Sequence, residues 1–570
     1  MKQLYLLSLL ALLSFSALCQ THPAEKSDFQ AEADRRIANL NKSLIPSGIL
    51  YDRVVPLARL DVFNQRAQAD TSSYTHFGQA HYELYNASYA PPVILNPDTL
   101  DARSARFKQT TVVPIGVLYY NFHKIDTLAL RDNLLSVSND LYYDVAGRPR
   151  IPYVSAWAFA VAPLAEQART GSVAFQLPAN LIIKNTSLSV SRVEVTGGDN
   201  NTTITLTPNG SSSSLYYSTG GEKVLKFKMV LSNNTSRITY GRLKLLGTAS
   251  TITSATARVA ADGTDYEAQY IPCFKEYIYS TESFKGYEEA TARVGKGEVY
   301  YYYAAAKSCN NANNTSPANK LNVTKPIIVL DGFDPGDGRG AAEIYGRYLS
   351  YTSSASGPQN LGVQMRTKGY DVIVLNFPDG ADYIERNAYV LMTLVTRVNQ
   401  QLAAAGSMEK ITIIGPSMAG LISRYALALM EKRGNVHNTR LWVSFDAPHL
   451  GANIPIGDQW FLNYMAPVSK GSRDARNKQI NSPAARQMLV HHYLSNSQTV
   501  AGAPNYRDRF KTALETNGLP NTMGFPSSAI RKIALINGSQ NGVLQPTGSA
   551  CGTAFDLEVK KTVLSRVLLL

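Results

Sequence analysis

Five short apolar runs recur through the second half of the chain, beyond about residue 324. Each run is mainly apolar rather than alternating, and Gly, Pro or Asp follows most of them closely. Helices that cover both faces of a parallel sheet produce this pattern, because every side chain of the strand is then buried. The sequence therefore predicts five buried strands: 325–330, 370–376, 410–414, 441–445 and 530–536.

Helical periodicity fills intervals between these runs. Apolar residues recur on one broad face of 388–404, and a helical pattern over 421–430 follows the third run directly. Alternation of strands with helices is typical of a doubly wound, mostly parallel sheet. We therefore predict an α/β domain over residues 324–570.

The stretch 111–305 has a different texture. Short segments rich in Val, Ile, Thr and Tyr are separated by turn clusters such as Pro208-Asn209-Gly210. Short strand-like segments with turns at regular intervals predict antiparallel strands in a β-sandwich-like unit. Because the stretch is also rich in Ser, Thr and Asn, we expect it to contact a cell surface or a glycan. Residues 20–110 have no assigned fold, and 306–323 is predicted to be a linker.

The first 19 residues have the pattern of a secretory signal peptide. Lys2 supplies a basic start, an apolar stretch over 4–18 follows, and Ala17-Leu18-Cys19 offers a cleavage site. Lipidation at Cys19 and a membrane anchor are the alternatives. No later run reaches 18 apolar residues, so no transmembrane helix is expected after cleavage. We expect a secreted or cell-surface protein.

Length and composition indicate a folded, multidomain chain, and the charge distribution argues against one class of partner. The length of 570 residues suggests three or four units. The shares of 44% hydrophobic and 17% charged residues are typical of a globular protein. The net charge of +13 is spread thinly, without a basic run interleaved with aromatics, so nucleic acid is not an expected partner. Cys273 and Cys309 either form a disulfide or remain free buried thiols, and Cys551 is left without a partner.

The third apolar run leads into Gly415-Pro416-Ser417-Met418-Ala419-Gly420 and then a helix. Small residues on either side of Ser417 permit a sharp strand-to-helix bend that exposes its hydroxyl. The backbone N–H of Met418 then lies at a helix N-terminus, where it can stabilise an oxyanion. The alternative interpretation is a small-residue packing turn with an incidental serine.

These residues resemble the nucleophile elbow of α/β-hydrolases, in particular lipases and esterases. The family pattern is G-x-S-x-G, and Ala419 stands here at the fifth position, with Gly420 next. The segment Pro448-His449-Leu450-Gly451 is similar to the PHxG loop of many lipases. The resemblance covers about 324–570, and it implies that Gly332 or Phe333 gives the second oxyanion donor.

The remaining members of a catalytic triad are less clear. Serine needs a histidine base, which a carboxylate orients. The resemblance implies an acid after the fifth run, where Asn541 stands instead, so Asp446 is the substitute and a loop-stabilising role is its alternative. His449 is the candidate base, with a structural role as its alternative. The other histidines after Ser417 are His437, His491 and His492.

The chain ends in an apolar run without a following helix, and no histidine follows residue 492. We therefore expect that the domain is truncated at its C-terminus and that the base lies in missing residues. Residues 454–526 are long enough to form a cap-like insert. Trp460, Phe461, Tyr464 and Met465 would give that insert an apolar face, and simple packing is the alternative for this cluster.

The sequence thus predicts a secreted serine hydrolase that acts on carboxylic esters. Two alternatives stay open: a surface binding or adhesion protein with an inactive hydrolase-like domain, and a peptidase on the same fold. No metal or organic cofactor is implied, because His, Cys and carboxylate residues do not cluster at metal-ligand spacing. An ester or lipid-like molecule is the expected substrate.

Overall fold

The computed structural model describes residues 28–60, 71–89, 94–107, 112–246, 272–307, 316–353, 357–495 and 502–536. These residues form two compact units. The first holds the described residues up to 246 together with Met465–Gly471, and the second holds those of 272–464 and 472–536. The predicted signal peptide, Cys19, Cys309, Asn541, Cys551 and the apolar C-terminal run lie outside the described residues.

A seven-stranded sheet organises the second unit. Its strand order is β14-β15-β19-β16-β20-β21-β22, and all pairs from β19 to β22 are parallel. The strands of this sheet are β14 (Phe274–Phe284), β15 (Arg293–Tyr302), β16 (Pro326–Leu330), β19 (Asp371–Asn376), β20 (Ile411–Pro416), β21 (Thr439–Phe445) and β22 (Arg531–Leu535). A small separate hairpin consists of β17 (Ser350–Ser353) and β18 (Gly357–Asn360).

The five predicted runs are confirmed as parallel strands, but the prediction that all five are buried is wrong. β22 lies at the edge of the described sheet, and all of its residues except the partly buried Ile533 are exposed. All residues of β16 and β19 are buried. Alternate residues of β16 enter different cores. Ile328 and Leu330 pack in one core, and Ile327 and Val329 pack in the other. Helices supply the rest of both cores, so the sheet is covered on both faces, as continuous apolar strands require.

The helices of the second unit lie between its strands and in the stretch after β21. Two of them, α6 and α7, pack in one core, and α4 packs in the other. Their bounds are α4 (Ala341–Leu349), α5 (Leu361–Thr367), α6 (Ile384–Ala404), α7 (Met418–Lys432), α8 (Ile456–Met465), α9 (Lys470–Asp474), α10 (Pro483–Met488) and α11 (Arg507–Thr516), with a π-helix at Ala475–Ile480.

Strand pairing contradicts one predicted boundary. Strands β14 and β15 fall within the predicted β-rich region, yet β15 pairs antiparallel with β19 of the second sheet. A hairpin that closes a mixed sheet has the same local sequence pattern as a hairpin of a sandwich, so only its long-range pairing reveals its place. The linker over 306–323 remains a prediction; Lys307 and Thr324, near its two ends, bind the buried Asp371 carboxylate at 2.7–2.9 Å.

The first unit contains two larger sheets that share one core. Side chains of β2, β5 and β7 from one sheet join those of β9, β12 and β13 from the other. The β-sandwich remains a prediction for this unit. The strands are β1 (Thr71–Ser72), β2 (Val112–Ile125), β3 (Leu135–Ser138), β4 (Leu141–Asp144), β5 (Tyr153–Pro163), β6 (Gln167–Arg169), β7 (Gly171–Gln176), β8 (Ile182–Lys184), β9 (Val190–Gly197), β10 (Thr202–Leu206), β11 (Ser213–Tyr217), β12 (Gly221–Leu231) and β13 (Ser236–Leu246).

The region without an assigned fold belongs to this first unit. It contains α1 (Asp28–Arg36), α2 (Tyr74–Ala87) and α3 (Pro97–Ala105), and α2 and α3 pack with β2 and β5 in a second core. Met465–Gly471, which lies inside the predicted cap-like insert, also belongs here. The Tyr82 hydroxyl donates to the Ala466 carbonyl at 2.9 Å, and Lys470 pairs with Asp101 at 3.0 Å.

Two observations bear on the compartment. Cys273 is buried and disulfide-bonded. Among the described residues, no helix combines the length and the apolar character needed to cross a bilayer.

Candidate active site

Ser417 lies at a sharp bend between β20 and α7. Its φ of 51° and ψ of −130° belong to a region that favours glycine, and the residue is exposed. The bend is held on both sides, because the Ser417 N–H donates to the Phe445 carbonyl at 2.8 Å and its carbonyl accepts from the Gly420 N–H at 3.0 Å. A non-glycine residue in such strain is typical of functional sites.

Two glycines make the bend possible. A Cβ on Gly415 would come within 2.6 Å of the Ala419 carbonyl oxygen, and one on Gly420 would come within 2.3 Å of the Ala447 Cβ. Both positions therefore require the missing side chain. Ala419 is itself fully buried without conflict, which explains why the departure from the family pattern at this position is tolerated.

Main-chain amides lie beside the serine. Met418 is the first residue of α7, so its N–H has no acceptor within the helix and sits at the positive end of the helix dipole. Gly332 is also close to the serine: a Cβ built on it would lie 3.4 Å from the Ser417 Cβ. Gly332 and Phe333 begin the loop after β16, which is the loop that the sequence singled out.

A buried ion pair supports that loop. The Asp331 carboxylate is fully buried and bonds the Arg339 guanidinium at 3.0 and 3.1 Å. Burial raises the pKa of Asp331, and the Arg339 charge opposes that shift. The Tyr348 hydroxyl lies 3.3 Å from Asp331, and burial and that carboxylate raise the Tyr348 pKa to about 12.

Asp446 lies at the same edge of the sheet as Ser417. It follows β21, the neighbour of β20, and its φ is 47°. Its N–H donates to the Leu535 carbonyl of β22 at 2.7 Å, while the preceding Phe445 carbonyl holds the Ser417 N–H. The fold therefore brings the candidate acid and the candidate nucleophile to adjacent strand ends.

His449 is engaged elsewhere. Its Nε2 lies 2.8 Å from the Ser444 hydroxyl, and its ring packs against Trp442 and Phe525. Among the described residues, its Nδ1 has no hydrogen-bond partner. Burial, with a smaller effect of the Arg424 charge, lowers the His449 pKa to about 4.

The other three histidines have different surroundings. His437 contacts Glu431 through Nε2 and accepts the Thr439 N–H at Nδ1. His492 uses Nε2 on the Ile480 carbonyl and Nδ1 on the Leu494 N–H, and His491 is exposed. In the part of the chain that the structure describes, no histidine forms a hydrogen bond with the Ser417 hydroxyl.

The sequence did not reveal the network of Asp331, Arg339 and Tyr348. These residues lie in an irregular loop and the helix after it, so no periodic signal links them. The run of Asp and Gly after the first strand was the only sign of an unusual loop. Within the described ranges, no group of three His, Cys, Asp or Glu side chains has an arrangement that could hold a metal ion.

No family model and no curated protein matches this sequence. Solved structures that resemble the chain include a lipase/esterase from Lactobacillus plantarum, with 12% identity, 47% of this chain and 90% of that one covered, and a TM-score of 0.20. Est1E from Butyrivibrio proteoclasticus matches with 11% identity, 30% and 54% coverage and a TM-score of 0.18. A prolyl endopeptidase matches with 9% identity, 69% and 51% coverage and a TM-score of 0.22.

The fold assignment rests on the molecule itself. A mostly parallel sheet with helices on both faces carries a serine at the bend between its third parallel strand along the chain and the helix that follows. The second unit has the fold of the α/β-hydrolases.

Proposed function

We propose that the second unit is a serine hydrolase that cleaves carboxylic esters, with Ser417 as the nucleophile. The observation that carries the proposal is the exposed serine in a strained bend, followed by the first amide of α7 and close to Gly332. Strain of this kind is retained where it serves a function.

The proposed reaction follows from these positions. The Ser417 oxygen attacks the ester carbonyl carbon while a base takes the hydroxyl proton, and the carbonyl electron pair moves to oxygen. Met418 N–H, with Gly332 or Phe333 N–H, stabilises that oxyanion. The intermediate expels the alcohol, which receives the proton, and water then releases the acid from the acyl-serine by the same steps.

The candidate acid, Asp446, fits its predicted role, whereas the candidate base, His449, fits a structural role. Asp446 is the proposed carboxylate, because it follows the strand beside Ser417. His449 is better suited to hold the loop after β21, since Nε2 is occupied by Ser444 and the ring is neutral at ordinary pH. We assign the base to no residue of the described part.

Exposed apolar side chains in the segment after β21 favour an ester with an apolar acyl group. Ala447, which contacts Gly420, leads into Leu450, and Leu450, Ile456 and Trp460 are all exposed. An exposed apolar set of this kind suits an uncharged substrate. The pattern of the first 19 residues further supports export of this enzyme.

The test compares hydrolysis of p-nitrophenyl butyrate by the full chain with that by Ser417→Ala. Loss of at least a hundredfold in kcat is expected, since the nucleophile is removed. Ser407→Ala, a change of a serine on the α6–β20 connection, is the matched control and should leave kcat unchanged. Equal turnover by Ser417→Ala would contradict the proposal, and cleavage of a peptide amide but not the ester would favour the peptidase.

A second candidate function concerns the first unit, for which we propose glycan binding. A cleft of about 550 Å³ is lined mainly by polar residues, among them Ser47, Asn121 and Asn185. Trp157, which pairs with Asn121 across β2 and β5, is exposed and stacked on Tyr119 at 4.6 Å. Flat aromatic surfaces beside amide side chains are suited to the apolar faces and hydroxyls of a neutral sugar.

Isothermal titration with neutral oligosaccharides tests this second candidate. Trp157→Ala should abolish binding, while the control Trp460→Ala, in the second unit, should not. Binding that survives Trp157→Ala would contradict the assignment.

A further inference from the structure

We infer that Arg339 is a positioning residue that holds the loop of residues 331–334 in the shape of an oxyanion hole. The inference rests on the proposed function. It concerns a side chain that does not touch the reacting atoms, and it explains why an ion pair is buried next to Ser417.

Both ends of this loop are fixed by backbone hydrogen bonds. The Asp331 N–H donates to the Leu375 carbonyl at 2.9 Å, and the Asp334 N–H donates to the Gly380 carbonyl at 3.2 Å. The contact with Gly380 is close, because a Cβ there would lie 2.8 Å from the Asp334 carbonyl oxygen. Gly332 and Phe333 lie between these anchors and supply the candidate second oxyanion donor; the Gly332 N–H also lowers the Asp331 pKa as a hydrogen-bond donor.

Arg339 reaches three residues of the loop. Its guanidinium binds the Asp331 carboxylate through Nε at 3.0 Å and Nη2 at 3.1 Å, and Nη2 also donates to the Phe333 carbonyl at 2.8 Å. Its backbone N–H donates to the Asp334 carboxylate at 2.9 Å. The bond to the Phe333 carbonyl fixes the peptide plane that follows Phe333, so it limits rotation of the neighbouring Phe333 N–H.

The chemistry of the side chain suits this task. A planar guanidinium can bind a carboxylate and a carbonyl at once in fixed directions, whereas a lysine ammonium is a single point charge. Stability alone does not require the pair, since apolar residues of similar volume often replace buried ion pairs without loss. The guanidinium fixes the directions of its hydrogen bonds, and a preorganised oxyanion hole needs its main-chain donors held in fixed directions.

The experiment measures kcat and KM for p-nitrophenyl butyrate with the full chain and two variants, Arg339→Met and Arg339→Lys. Both variants should lower kcat by roughly tenfold to a hundredfold and leave KM within about twofold, because the loop acts on the transition state. Arg347→Met, which removes an exposed arginine of α4, is the control and should match the wild type. Affinity for a boronic acid analogue should fall in parallel with kcat.

Arg339→Lys keeps a positive charge next to Asp331, so it stays informative if Arg339→Met fails to fold. Wild-type kcat in a folded Arg339→Lys protein, or a fall in kcat that only follows the folded fraction, would overturn the positioning role. A wild type without Ser417-dependent hydrolysis would overturn the proposed function itself. The two failures are therefore distinguishable.

Discussion

Ser417 carries a cost that its neighbours must offset. A non-glycine residue at φ 51° and ψ −130° is strained by about 1–3 kcal/mol, which the surrounding packing has to hold in place. Two backbone hydrogen bonds of Ser417, to the Phe445 carbonyl and from the Gly420 N–H, provide that restraint together with the buried first turn of α7. Strain is thus a property of this one residue, and it can be measured apart from catalysis.

We predict that Ser417→Gly is more stable than Ser417→Ala by about 1 kcal/mol. Both variants lack the hydroxyl, but only glycine adopts this conformation without strain, and its larger entropy loss offsets part of the gain. Urea unfolding of the two variants measures the difference. Equal free energies of unfolding would mean that the bend is relaxed.

At the scale of elements, the first turn of α7 packs closely against the loop after β21, next to the bend at Ser417. Gly420 lies in the first turn of α7, where alanine would ordinarily be the better helix former by about 1 kcal/mol. Its Cβ would, however, lie 2.3 Å from the Ala447 Cβ. Neither atom is the end of a flexible side chain, so the clash outweighs the helix propensity.

Gly420→Ala is therefore expected to destabilise the protein by about 1–3 kcal/mol. Ala447→Gly in the same chain should recover a good part of that loss, because it removes the atom that the new methyl meets. A double-mutant cycle from thermal unfolding measures the coupling, which should exceed about 1 kcal/mol. Additive effects of the two changes would refute the close contact.

Elements differ in how far the sequence predicts them. Apolar runs predicted the five parallel strands, since burial on both faces leaves a local signal in strands such as β16 and β19, but the exposed β22 was wrongly expected to be buried. Strands β14 and β15 were assigned to the wrong region, because pairing with β19 is a long-range fact. Ser417 was visible through its strand–bend–helix context, whereas the Arg339 network depends on side-chain contacts in an irregular loop that no periodicity records.

At the scale of the whole molecule, each unit has its own core and its own weak points. In the first unit, His81 of α2 is fully buried. Burial lowers its pKa from 6.5 to about 4, although Asp101 opposes the shift. The unfolded chain therefore binds the proton more readily than the folded unit does.

Because the folded pKa is depressed, stability is full above about pH 6.5 and is lost as the pH falls towards 4. Between pH 7 and pH 5 the loss from His81 is expected to be about 2 kcal/mol. Hydrogen exchange of peptides from α2, corrected for the intrinsic rate at each pH, measures it. His81→Leu should flatten this pH dependence, and an unchanged slope would show that other groups cause it.

The central claim is that one hydroxyl of this chain is a reactive nucleophile. Mass spectrometry of the full chain after treatment with a fluorophosphonate probe tests it most directly. We predict a single adduct on the tryptic peptide 411–424, located by fragmentation at Ser417 rather than at the buried Ser423, and absent from Ser417→Ala. An adduct at another residue, or none on the folded protein, would contradict the account.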